Sequence, residues 1–188
     1  MSDLKELTKL VLSKCPGPVS FLVKDAISQA YSEFCKESKY LSETEELKSV
    51  DSGVAVLLTI PVSHYLLEVS KVTSGGIPLK PVSDYTQNKP GELIFKSDHN
   101  DIEVTFSYCP SSIFDGKSAD DDLVNRWGNE IAAGAAAILR VMPGKTWTEP
   151  SLYDHYRRIF VEAYRDARRA REEQFDDFQN YTRKHNFF

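Results

Sequence analysis

The chain is sparing in cysteine and has no long apolar run. Only Cys15, Cys35 and Cys109 occur, far apart and odd in number, with no CxxC pair and no metal-ligand spacing. Cys15 and Cys35 fall in helical patterns, where a free cysteine serves as a small buried apolar group. No apolar stretch approaches the roughly 20 residues that a membrane span needs. Charges interrupt the apolar residues of MSDLKELTKL, so the start does not read as a signal peptide, and a cytoplasmic protein is expected. Positive excess is missing too. Lys and Arg number 23 against 28 Asp and Glu, a net charge of −5, which argues against a dedicated nucleic-acid binder.

Catalytic signatures are also lacking. His64, His99, His155 and His185 share no ligand spacing, and no serine stands in a GxSxG elbow. Gly116-Lys117-Ser118 and Gly144-Lys145-Thr146 imitate a phosphate-binding loop. The first glycine of the motif is replaced by Ser111 in one and by Leu139 in the other. Asp120, Asp121 and Asp122 could hold Mg²⁺, but negative charge at a helix start explains them more simply. The expectation is therefore no enzyme: no catalytic residue, no cofactor site and no metal site.

What is present is ordinary in amount and strongly patterned. The 188 residues are 41% hydrophobic and 27% charged, enough for one domain with a real core. The clearest pattern runs from Ser118 to Trp147. Ser118 is placed to cap a helix whose first turn carries the aspartates. Val124, Trp127, Ile131, Ala135, Ile138 and Met142 give it one apolar face. Gly128, Ala132 and Ala136, beside Ala133, Gly134 and Ala137, give it a small-residue side where another backbone can come close. Both faces are expected to be packed, with Trp127 buried between helices. Pro143-Gly144 stops the helix, and Trp147 is expected to fold back.

Three other helices are predicted. One spans Asp3 to Lys14, with Leu4, Leu7 and Val11 on a face. After Cys15-Pro16-Gly17-Pro18 a second carries Val19, Leu22, Val23, Ala26, Ile27, Ala30 and Phe34 to about Lys39. The last begins after Thr148-Glu149-Pro150 and carries Leu152, Tyr156, Phe160, Ala163, Ala167 and Ala170. From about residue 50 the period changes to two. Strands are predicted at Val54–Ile60, Leu66–Val72, Ile77–Leu79, Glu92–Phe95 and Ile102–Tyr108. The expected fold is α+β: an antiparallel bundle of about four helices, with a small antiparallel sheet inserted between helices 2 and 3 and a long C-terminal helix. As a single domain, residues 1–48 and 111–181 would form the helical part, 49–110 the inserted sheet and 182–188 a tail.

The last helix carries Arg157, Arg158, Arg165, Arg168, Arg169 and Arg171, interleaved with acids. Asp166–Arg169 lies at i,i+3, and Arg168–Glu172 at i,i+4. From Ser151 onward eight basic and seven acidic side chains give a net of +1. Such balance suits a salt-bridged face or a protein contact better than a phosphate-binding one. DNA binding by this Arg-rich helix is the alternative. The tail, Lys184-His185-Asn186-Phe187-Phe188, carries two aromatics with no local core. It reads either as a segment for a partner groove or as disorder.

Three stretches together resemble the head-to-tail adaptor (connector) proteins of tailed bacteriophages. They are Cys15-Pro16-Gly17-Pro18 with the helix ending Tyr31-Ser32-Glu33-Phe34-Cys35, then Gly53 to Pro61 with Gly75-Gly76, then Arg126-Trp127-Gly128 through Ala132-Ala133-Gly134-Ala135, Met142-Pro143-Gly144-Lys145, Trp147 and Pro150. The third is the most specific. The resemblance implies a structural virion protein at the neck, assembled in the host cytoplasm as a ring of identical subunits, a dodecamer. Its partners would be the portal protein and tail or nozzle proteins. DNA would pass through without sequence-specific binding, and no membrane would be involved. Portal contact would fall to the C-terminal segment, with Tyr181, Arg183, His185, Phe187 and Phe188 as candidates. Packing between subunits would fall to Gly128, Ala132, Ala136, Arg168 and Arg169.

Overall fold

The computed structural model describes residues 2–111, 113 and 119–174. Four helices and seven strands follow in chain order. Helix α1 (Ser2–Lys14) buries Leu7 and Val11 completely. The CPGP segment breaks it, and α2 (Ser20–Ser38) follows with Val23, Ala26, Ile27, Ala30, Tyr31 and Phe34 inward. Lys39 ends α2 in the left-handed conformation, φ 53°, its N–H donating to the Cys35 carbonyl.

Between α2 and the next helix the regular elements are all strands: β1 (Ser42–Val50), β2 (Ala55–Leu57), β3 (His64–Ser74), β4 (Ile77–Pro78), β5 (Tyr85–Lys89), β6 (Glu92–Phe95) and β7 (His99–Pro110). They form two antiparallel sheets, one in the order β1-β7-β3-β4 and one in the order β2-β6-β5. Strand β7 is the centre. Its Ile102, Val104 and Phe106 alternate inward to meet Leu93 and Phe95 of β6 and Val72 of β3. At its far end Cys109 enters a second core, among the helices. Tyr108 packs against both cores.

This arrangement overturns the expected helical bundle with one small inserted sheet. The helices lie at the N and C ends, and strands dominate the middle in two sheets with seven strands. The physical reason is that the strand region owns a core: nine buried side chains, from Val50 to Phe106, pack between the sheets. Such a region is a principal layer of the fold. The helical part also ends earlier than residue 48, because β1 begins at Ser42. Two strands went unpredicted. SETEELKSV in β1 and YTQNK in β5 lack an apolar alternation. Strand β1 is held by backbone pairing to β7, from Ser42↔Ser107 to Val50↔His99. As an edge strand it is marked by charge. Strand β5 returns beside β6 through a turn at Gly91, φ 80°.

Helix α3 (Asp121–Arg140) sits among α1, α2 and the last helix, α4 (Pro150–Gln174). Every side chain from Ile131 to Ala137 is buried. Its cap is Asp120, whose carboxylate accepts the Leu123 N–H at 2.8 Å. Ser118, the predicted cap, lies outside the described residues. Trp127 is only half-buried, packed on Phe34 at 5.8 Å between ring centres. Trp147 does fold back, its ring lying 3.2 Å from where a Cβ on Gly17 would sit.

Candidate interaction surfaces

The residues assigned to subunit packing divide into two groups. Ala132 and Ala136 are fully buried by the chain itself. Gly128 is buried as well, and a Cβ there would sit 3.5 Å from Leu7 Cδ2 of α1. The small side of α3 is therefore covered within one chain, which leaves no surface there for a neighbour. Arg168 and Arg169 stand on the outward face of α4, with half and two-thirds of their side chains exposed. Arg168 Nε donates to Glu172 at 2.9 Å, and Arg169 meets Asp166 at 3.3 Å. Tyr181, Arg183, His185, Phe187 and Phe188 lie outside the described residues.

Helix α4 does not offer its whole arginine row outward. Arg157 turns inward to Glu33 of α2 at 2.7 Å and lies 5.6 Å from the Phe160 ring centre. Arg171 Nη1 donates to the Lys39 carbonyl. Arg140, at the end of α3, ties α1 to the connection between α3 and α4. It donates to the Lys14 carbonyl at 2.7 Å, to the Trp147 carbonyl at 3.2 Å and to Glu149 at 3.3 Å. Sequence reasoning missed these anchoring arginines. Their acceptors are mostly backbone carbonyls, which no residue pattern marks.

The three aspartates are engaged by the chain. Asp120 caps α3, and its N–H donates to the buried Tyr31 hydroxyl at 2.9 Å. Asp122 accepts from Tyr40 Oη at 2.8 Å and from Arg126 Nε at 3.0 Å. Asp121 also has an interaction of its own. Among the described residues no group of three or more His, Cys, Asp or Glu side chains is placed to hold a metal. All three cysteines are buried and free. Burial pushes the Cys35 thiol well above its ordinary range. A hydrogen bond from Cys35 holds Cys109 below its own.

Tyr40 gives this region a pH signature. Burial first, and then its hydrogen bond to Asp122, push the phenol from 10 up to about 12. Burial raises Tyr31 as well. Below pH 10 both folded and unfolded states keep these protons. Above it the unfolded state ionises first, so stability falls as pH rises from about 10 toward about 12. Urea unfolding across that window is expected to show the fall, and Tyr40→Phe is expected to make it shallower. An unchanged slope in the variant would remove Tyr40 from the account.

Compared with models of known protein families the chain matches none, and no curated protein matches it. Among the described residues no helix is long and apolar enough to cross a membrane.

Proposed function

We propose that the chain is a structural head-to-tail adaptor of a tailed bacteriophage, forming a ring of identical subunits between portal and tail. The observation that carries this reading is the outward face of α4. Arg165, Arg168 and Arg169 alternate there with Glu162, Asp166, Glu172 and Glu173, all exposed. A face offering both signs in alternation suits a contact with a neighbouring copy, because charge complementarity fixes register and partner. Ring subunits need such head-to-tail contacts, closed by rotation. The choice of this assembly over other protein complexes rests on the sequence resemblance, above all on Arg126-Trp127-Gly128 through Trp147. It does not rest on the bundle first expected.

On this proposal the portal, the tail or nozzle proteins and identical subunits are the partners, and DNA is a passenger. The site of action is the virion neck, reached by assembly in the host cytoplasm. The chain would bring no catalysis and no cofactor. DNA binding by α4 is less favoured, since Arg157 and Arg171 face inward and Arg168 and Arg169 already meet carboxylates.

The test is co-sedimentation with purified portal rings of its own phage. The full chain is expected to pellet with the rings. Deleting residues 182–188 is expected to weaken attachment about tenfold or more, since burying one phenylalanine ring contributes roughly 1.5–3 kcal/mol. The melting temperature should stay within about a degree, because little stability resides in a tail. Attachment as tight as that of the full chain would move the docking surface elsewhere. Failure of the full chain to attach, with DNA affinity falling steeply with salt, would favour the nucleic-acid reading.

A further inference from the structure

A cleft of about 250 Å³ lies where the end of α4 overhangs the outer face of the four-stranded sheet. Four cations line it: Lys39 at the end of α2, Lys71 on β3, and Arg168 and Arg171 on α4. Two carboxylates share it, and each is already claimed. Glu68 meets Lys39 Nζ at 2.5 Å, and Glu172 meets Arg168 at 2.9 Å. Two positive charges are left over. Lys71 makes no ion pair among the described residues. Arg171 gives Nη1 to the Lys39 carbonyl, and its Nε is shielded with no acceptor among the described residues.

That arginine is under-satisfied. A guanidinium withdrawn from water needs acceptors around its fork, and leaving them unmade is costly. Its pKa moves accordingly: burial pulls it down, against the opposing pull of Glu68 and Glu172. Backbone geometry points to the same place. Lys39 holds a left-handed φ of 53° at a helix end, a position that glycine usually takes. That turn sets the Lys39 carbonyl beside Arg171 Nη1 and its Nζ beside Glu68. The floor of the cleft is polar as well. The Thr44 and Thr105 hydroxyls lie 3.0 Å apart, and Ser70 Oγ donates to the Thr105 carbonyl.

We propose that this cleft between α4 and the sheet binds a small doubly charged anion, a phosphate group or a dicarboxylate, held by the two cations left over, Lys71 and Arg171. Arginine offers paired N–H groups to such an ion, and lysine a mobile point charge. The volume lies below the roughly 300–1,000 Å³ of most drug-sized sites, which favours a small ligand. Arg171 lines this cleft, whereas an extended polyanion would lie along the exposed Arg165 and Arg169. The site does not depend on the adaptor proposal.

Isothermal titration of the full chain with inorganic phosphate, pyrophosphate and succinate tests it. Saturable binding is expected, together with a raised melting temperature in the presence of the bound ion. Lys71→Ala and Arg171→Gln are each expected to weaken binding about tenfold or more, the loss of one charge-assisted contact. Lys9→Ala, on the exposed side of α1, removes the same charge and should leave binding unchanged. Binding of the phosphates alone identifies a phosphoryl ligand, and equal binding of succinate identifies a carboxylate one. No saturable binding, or binding indifferent to both cleft variants, overturns the proposal. Displacement of pyrophosphate by duplex DNA, with a steep salt dependence, would overturn it in favour of a nucleic-acid surface.

Discussion

Truncating Phe160 to alanine is expected to cost about 3–5 kcal/mol of folding free energy, the largest loss from any single change on α4. Phe160 is fully buried. Its ring centre lies 6.1 Å from that of Phe34 on α2 and 5.6 Å from that of Tyr164 on its own helix. The Arg157 guanidinium lies 5.6 Å from it, and Gly134 of α3 is pressed against its edge. One side chain thus joins three helices. Domains of this kind are stable by about 5–15 kcal/mol in total, so such a loss removes a large share. Urea unfolding checks it. A loss under about 1 kcal/mol would mean that α4 is not anchored through this ring.

Gly134→Ala is expected to destabilise by about 1–3 kcal/mol, although helix propensity alone gives a gain of about 1 kcal/mol. A Cβ at residue 134 would stand 2.5 Å from Phe160 Cδ2 and 2.8 Å from Cε2 and Cγ. The Phe160 ring is itself fully buried and cannot yield that space cheaply. Gly128 is the control on the same helix. A Cβ there would meet Val124 at 3.4 Å and Leu7 at 3.5 Å, ordinary contact distances. Gly128→Ala is therefore expected to be neutral or mildly stabilising. The clash also predicts coupling. In the Phe160→Ala background the Gly134→Ala cost should shrink or reverse, a non-additivity that a double-mutant cycle measures. Additive costs would place the strain elsewhere.

The helices were legible in the sequence because each carries a stripe at helical spacing. The stripes of α1, α2, α3 and α4 point inward through residues such as Val11, Ile27, Ile131 and Ala167, while Val19 and Ala170, at the ends of their stripes, are exposed. The α3 cap was legible as a place but not as a residue. Ser118, Asp120, Asp121 and Asp122 can all cap, and only the folded chain selects Asp120. The overall architecture was misread because β1 and β5 carry no apolar alternation and exist through pairing with distant strands. Without β5 the second sheet is only the β2-β6 pair, and without β1 the first lacks its charged edge.

The small residues of α3 showed that something comes close, but not what. It proved to be Leu7 of α1 beside Gly128 and Phe160 of α4 beside Gly134, both within the chain. The charge pairs along α4 were legible from their spacing, and the Arg168–Glu172 and Arg169–Asp166 pairs are formed. The inward turns of Arg157 and Arg171 were not. Arg171 finds its acceptor 132 residues away, at a backbone carbonyl that any residue could supply. The anion cleft was equally hidden, since Lys39, Lys71 and Arg168 come together only through the packing of α4 over the sheet.

Electron microscopy of the full-length chain mixed with purified portal rings tests the adaptor proposal most directly. The expected image is a second ring stacked coaxially on one end of the portal, with copies in a closed symmetric set and a central channel open for DNA. Portal rings that stay bare at saturating protein, with the chain remaining free in solution, would contradict it.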